Sequence, residues 1–133
     1  MKTLIIDDDI LSCKLLQSLL RDYGECSIAK DGDSAIKFFE EALKKQEPFD
    51  LVCLDIMMPE KDGYEVLRTM RSLEQSYSLQ TDKRSRIVMV TALGEPENKT
   101  KAFYENCDGY LIKPIERKLL LEMLGKMKLL SMP

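Results

Sequence analysis

Short apolar runs and segments of helical period alternate five times along this chain, and every apolar run stops at a polar residue. Thr3-Leu4-Ile5-Ile6 runs into Asp7-Asp8-Asp9 and is followed by Leu11, Leu15, Leu16, Leu19 and Leu20 at helical spacing, closed by Gly24. Cys26-Ser27-Ile28-Ala29 is the weakest strand signal, and after Asp31-Gly32 one face of a second helix carries Ala35, Ile36, Phe39 and Leu43. Phe49-Asp50-Leu51-Val52-Cys53-Leu54 is the clearest buried strand and ends at Asp55; a loop with Pro59 and Gly63 then leads to a third helix bearing Tyr64, Leu67 and Met70. Arg86 to Val90 forms a strand that stops at Thr91, and a fourth helix is expected from about Glu97 to Asn106 with Ala102 and Phe103 inward. Gly109 to Ile112 is the last strand, and Lys113-Pro114 opens a terminal helix with Leu120, Met123, Leu124 and Met127. Five runs alternating with five helical patterns imply an α/β fold whose parallel sheet is covered on both faces. Right-handed crossovers then leave few topologies.

Composition removes most chemistries. A length of 133 residues is that of one compact domain. Lys and Arg number 20 against 23 Asp and Glu, so a net charge of −3 offers no electrostatic case for nucleic acid or an anionic membrane as partner. The chain has no histidine, which excludes Ser-His-Asp and Cys-His nucleophiles, imidazole zinc sites and histidine proton shuttles. Cys13, Cys26, Cys53 and Cys107 form no C-x-x-C pair, and their thiols read as reduced, most of them as small core hydrophobes. The start lacks a secretory pattern and the apolar stretches are too short to span a bilayer, so a cytoplasmic protein is expected. The stretch Leu73 to Arg86 is polar and long for a tight connection; part extends the third helix and the rest reads as a mobile loop, either a small insertion or a partner contact.

In open α/β sheets ligands sit beyond the carboxyl ends of the strands. Reading each run to its last residue brings Asp7, Asp8 and Asp9, Asp55, Thr91 and Lys113 to one edge. Each has a bland alternative: Asp7-Asp8-Asp9 can cap the next helix, which is all Asp9 is expected to do, Asp55 can cap a turn, Thr91 can cap a helix, and Lys113 can be solvated. The coincidence of all four points to a site. Three carboxylates without counter-charge repel one another, and oxygen-only ligation suits Mg²⁺, which uses one or two carboxylates together with phosphate oxygens. Lys113 can balance a phosphoryl group, the Thr91 hydroxyl can donate to it, and Asp55 can be the nucleophile that forms an aspartyl phosphate.

These residues resemble a response-regulator receiver domain. The resemblance rests on Leu4-Ile5-Ile6-Asp7-Asp8-Asp9, on Asp50 to Pro59 with Asp62-Gly63, on Val90-Thr91-Ala92 and on Asp108-Gly109-Tyr110-Leu111-Ile112-Lys113-Pro114, and it covers about residues 2 to 128. It implies a flavodoxin-like, doubly wound, five-stranded parallel sheet of order 2-1-3-4-5 with five helices, a receiver domain over 1–128 and a short tail over 129–133. It further implies that Asp55 takes phosphate from a histidine kinase or phosphotransfer protein. Asp8 and Asp55 ligate Mg²⁺ with the backbone carbonyl of Met57, and Asp7 acts through metal-bound water. Lys113 pairs with the phosphoryl oxygens and precedes Pro114 in a cis bond. Thr91 moves toward the phosphate, Tyr110 turns inward in response, and the surface of the fourth helix, last strand and fifth helix changes its preference for partners. The downstream target is not implied. The sequence departs from the family in a longer connection before Arg86 and in extra residues within Glu41 to Pro48. Methionine at position 57 adds no polar side chain beside the phosphate.

Two other readings compete with the phosphorylated switch. Asp7-x-Asp9 mimics the opening of a haloacid-dehalogenase-type phosphatase, but that family wants Thr or Val where Leu11 stands, and the chain is short for that fold. The other is a pseudo-receiver, a protein-binding module whose pocket is a relic.

Overall fold

A computed structural model describes residues 1–56, 58, 63–92 and 107–130 of the chain. The fourth helix expected from Glu97 to Asn106, and Met57, lie outside the described residues. The elements are β1 (Thr3–Ile6), α1 (Ile10–Leu20), β2 (Cys26–Ala29), α2 (Gly32–Lys44), β3 (Leu51–Asp55), α3 (Gly63–Ser76), β4 (Arg86–Ala92), β5 (Gly109–Lys113) and α4 (Arg117–Lys126). All four strand pairings are parallel, and the sheet order is β2-β1-β3-β4-β5. The expected order is therefore present.

Side chains on adjacent strand residues point to opposite faces, so each central strand feeds two cores. Leu4, Ile6, Val52, Leu54, Ile87 and Met89 meet α2 and α3 through Phe39, Leu43, Leu67 and Met70. Ile5, Cys53, Val88 and Val90 meet α1 and α4 through Leu16, Leu20, Leu120 and Leu124 on the other face. Both faces being covered is what makes β1 and β3 buried at every position. The edge strands β2 and β5 are only partly buried, which explains why Cys26–Ala29 reads weakly in sequence.

The helix starts follow side-chain capping. Asp9 accepts from the Leu11 amide at 3.2 Å and from the Ser12 hydroxyl at 2.8 Å, while Asp31 accepts from the Ser34 amide at 2.7 Å. Asp9 thus plays the capping role expected of it. Gly24 does not close α1 directly; α1 ends at Leu20, a 3-10 turn over Arg21–Tyr23 follows, and Gly24 comes next with φ 146°. The strand expected to stop at Thr91 runs on to Ala92.

The segment from Leu73 to Arg86 is anchored at both ends. Helix α3 continues to Ser76, and Glu74, expected in a polar surface stretch, is 0% exposed. Its carboxylate accepts from Arg71 Nη1 at 2.8 Å and from the Ser85 amide at 2.8 Å. Arg71 also donates to the Ser85 carbonyl at 2.9 Å and, through Nη2, to Asp108 at 2.8 Å. The same Asp108 oxygen accepts the Ile87 amide at 2.8 Å, and the Ser85 hydroxyl donates to the Phe49 carbonyl at 2.6 Å. A buried charge survives because each of its oxygens accepts a hydrogen bond, one of them from a guanidinium.

Two outcomes follow from this packing. Glu74→Ala leaves the buried Ser85 amide without its acceptor and Arg71 with the Ser85 carbonyl and Asp108, and urea unfolding should show a loss of about 3 kcal/mol, the size expected for breaking a buried pair. Burial pushes the Cys53 thiol up to about 12 from an ordinary 9.0. The unfolded chain thus releases this proton at lower pH than the native one, so the stability that the native thiol contributes is intact below 9 and declines as pH rises toward 12. Urea midpoints measured across that range should fall less steeply in Cys53→Ala than in wild type.

Candidate functional site

The carboxyl edge of the sheet is built from four strand ends. Asp7 follows β1 directly, Asp55 is the last residue of β3, Thr91 is the penultimate residue of β4, and Lys113 ends β5. Register aligns them: Asp55 pairs with Val90, one position before Thr91, and Lys113 pairs with Ala92, one position after it. The structure therefore brings together Asp7, Asp8, Asp55 and Lys113, with Thr91 on the strand between Asp55 and Lys113.

One carboxylate oxygen each from Asp7, Asp8 and Asp55 lies within 4.8 Å of the other two. Asp7 is 2% exposed and Asp55 6%, whereas Asp8 is open to solvent. Asp7 Oδ1 accepts the Asp9 amide at 2.9 Å and Oδ2 accepts Lys113 Nζ at 3.0 Å. The same ammonium stands 3.8 Å from Asp55 Oδ2. Partial burial pulls the Lys113 ammonium down, but the hydrogen bond to Asp7 and the charges of Asp55, Asp7 and Asp9 outweigh it and hold the group above its ordinary value. Lys113 therefore stays charged through the neutral range. The hydrogen bond from Ser12, then that from Leu11, hold Asp9 below the ordinary carboxylate value, in keeping with its capping role.

Close packing of α3 behind Asp55 sets that residue's position. Gly63 donates to the Ile56 carbonyl at 3.0 Å, and a Cβ there would stand 2.8 Å from the Asp55 carbonyl oxygen. Only a glycine lets the first turn of α3 approach β3 this closely. Thr91 is buried, Tyr110 is 40% exposed on β5, and the Lys113–Pro114 bond is cis as the resemblance implies. Tyr110 thus stands outward here, alongside Ile112 and Leu119, which are also exposed.

One connection was not visible in the sequence. Asp108, immediately before β5, is tied to Arg71 and to the Ile87 amide, so the strand carrying Tyr110 and Lys113 is pinned at its start. Its sole signal is its place at the head of a strand.

Three carboxylates against one ammonium leave a deficit of two positive charges when all are ionised. The donors are all hard oxygens, which fits a divalent cation of the Mg²⁺ type and not a thiolate- or imidazole-seeking metal.

Known proteins share this arrangement of chain and sheet. The response regulator receiver domain family matches residues 3–125. Hybrid signal transduction histidine kinase I of Dictyostelium discoideum is 33% identical over 125 residues, which is 93% of this chain and 7% of that protein. The chain spans less than half the length of the curated relatives it matches, from 7% to 42%. The receiver domain protein (CheY-like) of Methanospirillum hungatei is 30% identical with a TM-score of 0.72, covering 96% of this chain and 95% of that one. The receiver domain of the histidine kinase CKI1 from Arabidopsis thaliana, solved complexed with Mg²⁺, is 25% identical with a TM-score of 0.78, covering 95% and 90%. Sequence match and sheet order agree over almost the whole length, and on that ground the chain belongs to the response regulator receiver domain family.

Proposed function

We propose that this domain is a phosphorylation-dependent switch of a two-component or phosphorelay system. In this reading Asp55 accepts a phosphoryl group from the phosphohistidine of a histidine kinase or phosphotransfer protein, and the loaded protein changes its preference among partners. The supporting observation is the meeting of Asp7, Asp8 and Asp55 within 4.8 Å beside an ammonium 3.8 Å from Asp55.

An Asp55 carboxylate oxygen attacks phosphorus; the P–O bond forms as the P–N bond breaks, and the imidazole leaves with the electron pair and takes a proton. Transfer of this kind asks mainly for positioning and charge stabilisation, which is why a chain without histidine can perform its half. Asp8 and Asp55 would hold Mg²⁺ together with the carbonyl of Met57, which lies outside the described residues, and Asp7 would act through water. When bound, Mg²⁺ supplies positive charge beside the transferring oxygens. Lys113 then turns from its carboxylate partners toward a phosphoryl oxygen, and the Thr91 hydroxyl donates to another. Tyr110, outward in the present structure, exchanges its exposed position for an inward one, and the β5 and α4 surface presents a different face to partners. The change is a population shift between two arrangements of one fold. The domain is loaded and unloaded once per signal and turns over no substrate of its own. No described helix is long and apolar enough to cross a membrane. A cytoplasmic location, with neither nucleic acid nor membrane as a direct partner, accords with the acidic composition.

Incubation with Mg²⁺ and acetyl phosphate, followed by intact mass measurement, should add one phosphoryl mass to wild type and none to Asp55→Asn. Addition to both, or to neither, would overturn the assignment. In an NMR titration Mg²⁺ should shift the Asp8 and Asp55 amides saturably, with at least about tenfold weaker affinity in Asp8→Asn. A protein with no saturable response would be a binding module without phosphoacceptor chemistry.

A further inference from the structure

At the amino-terminal end of the sheet, the α2–β3 connection, the α3–β4 connection and the turn after α4 wall a cavity of about 960 Å³. It lies at the far end of β3 from Asp55, roughly 13 Å away for a strand of this length. In volume it falls in the range of small-molecule sites.

Its wall is basic in an acidic protein, with five Lys or Arg side chains against two Asp. Asp50 gives its carboxylate to the Lys2 amide at 2.7 Å, and Arg86 stands 3.6 Å from Asp108. The remaining cations, Lys44, Lys83, Arg84 and Lys128, have no side-chain hydrogen bond or ion pair among the described residues. Helix carboxyl ends attract cations, which accounts for Lys44 at the end of α2 and Lys128 just past α4. Lys83 closes a 3-10 turn of only three residues, Thr81–Lys83, whose dipole is small, and the α3–β4 connection carries it and Arg84 to the same cavity from another part of the chain. Bringing like charges together from three segments costs energy that an anion would recover. Between them the wall is apolar: Leu79 lines it, and the Tyr77 ring is 38% exposed.

We propose that this cavity binds a small organic phosphate that joins two or more anionic groups to a flat ring, the nucleotide class. The anionic groups meet Lys83, Arg84 and the two helix-end lysines, and the ring packs on Tyr77. The site is separate from the phosphoacceptor edge and does not depend on the function proposed for it.

The test is a calorimetric titration of the full chain with ATP in buffer containing EDTA and no magnesium, with pyrophosphate and adenosine as separate arms. ATP should bind saturably with a Kd at or below about 1 mM, pyrophosphate more weakly, and adenosine without detectable heat. Lys83 and Arg84 are exposed, so the double variant Lys83→Glu/Arg84→Glu should fold and still gain phosphate at Asp55 as wild type does. Its ATP affinity should drop at least about tenfold, whereas Lys113→Gln should bind ATP as wild type does. Absence of saturable binding up to about 5 mM would overturn the proposal. So would equal affinity in the charge-reversed variant, pyrophosphate binding as tightly as ATP, or a loss confined to Lys113→Gln.

Discussion

Crowding of like charge at the carboxyl edge is the constraint around which this molecule is arranged. Two of its three carboxylates are almost wholly buried, a costly placement unless their oxygens are occupied. Asp7 meets that condition with the Asp9 amide on one oxygen and Lys113 on the other. The ammonium comes from β5, so a contact between residues 106 positions apart reaches over the ends of β3 and β4. The electrostatic need at the end of β1 is met by the edge strand β5, three places away in the sheet, and the strands between them are thereby spanned at one end.

A second polar lattice ties β4 and β5 at the other end of the sheet. Glu74, Arg71, Ser85 and Asp108 join the end of α3, the entry to β4 and the entry to β5. Between these two lattices lies a sheet held by apolar burial on both faces, and that interior contributes most of the stability while specifying little chemistry. Strand β5 is thus fixed by hydrogen bonds where it starts and by an ion pair where it ends. The pair at its end is the one a newly arriving anion can redirect.

Much of this could be read before any coordinates. Apolar runs bounded by Asp7, Asp55, Thr91 and Lys113 place the strands, because a central parallel strand must be apolar on both sides and can change character only where it leaves the sheet. The same boundaries name the residues of the edge. Less visible are features whose cause lies in distant partners. Glu74 looks like any surface carboxylate in a polar stretch, and its burial depends on Ser85 and on Arg71, whose other partner, Asp108, sits far along the chain. The end of α1 at Leu20, four residues short of Gly24, reflects a 3-10 turn that periodicity does not register. The cavity beneath the sheet escapes notice for the same reason, since its walls come from three connections that share no pattern.

The raised ammonium of Lys113 has a wider bearing. The chain has no imidazole, and burial raises the described thiols. Lys113 therefore keeps its charge, and no histidine gains or loses one, when the surrounding medium acidifies or turns alkaline by a unit around neutrality. The counter-charge standing at the carboxyl edge is thus a permanent one near neutrality, and what can draw it away from Asp7 is the arrival of another anionic group.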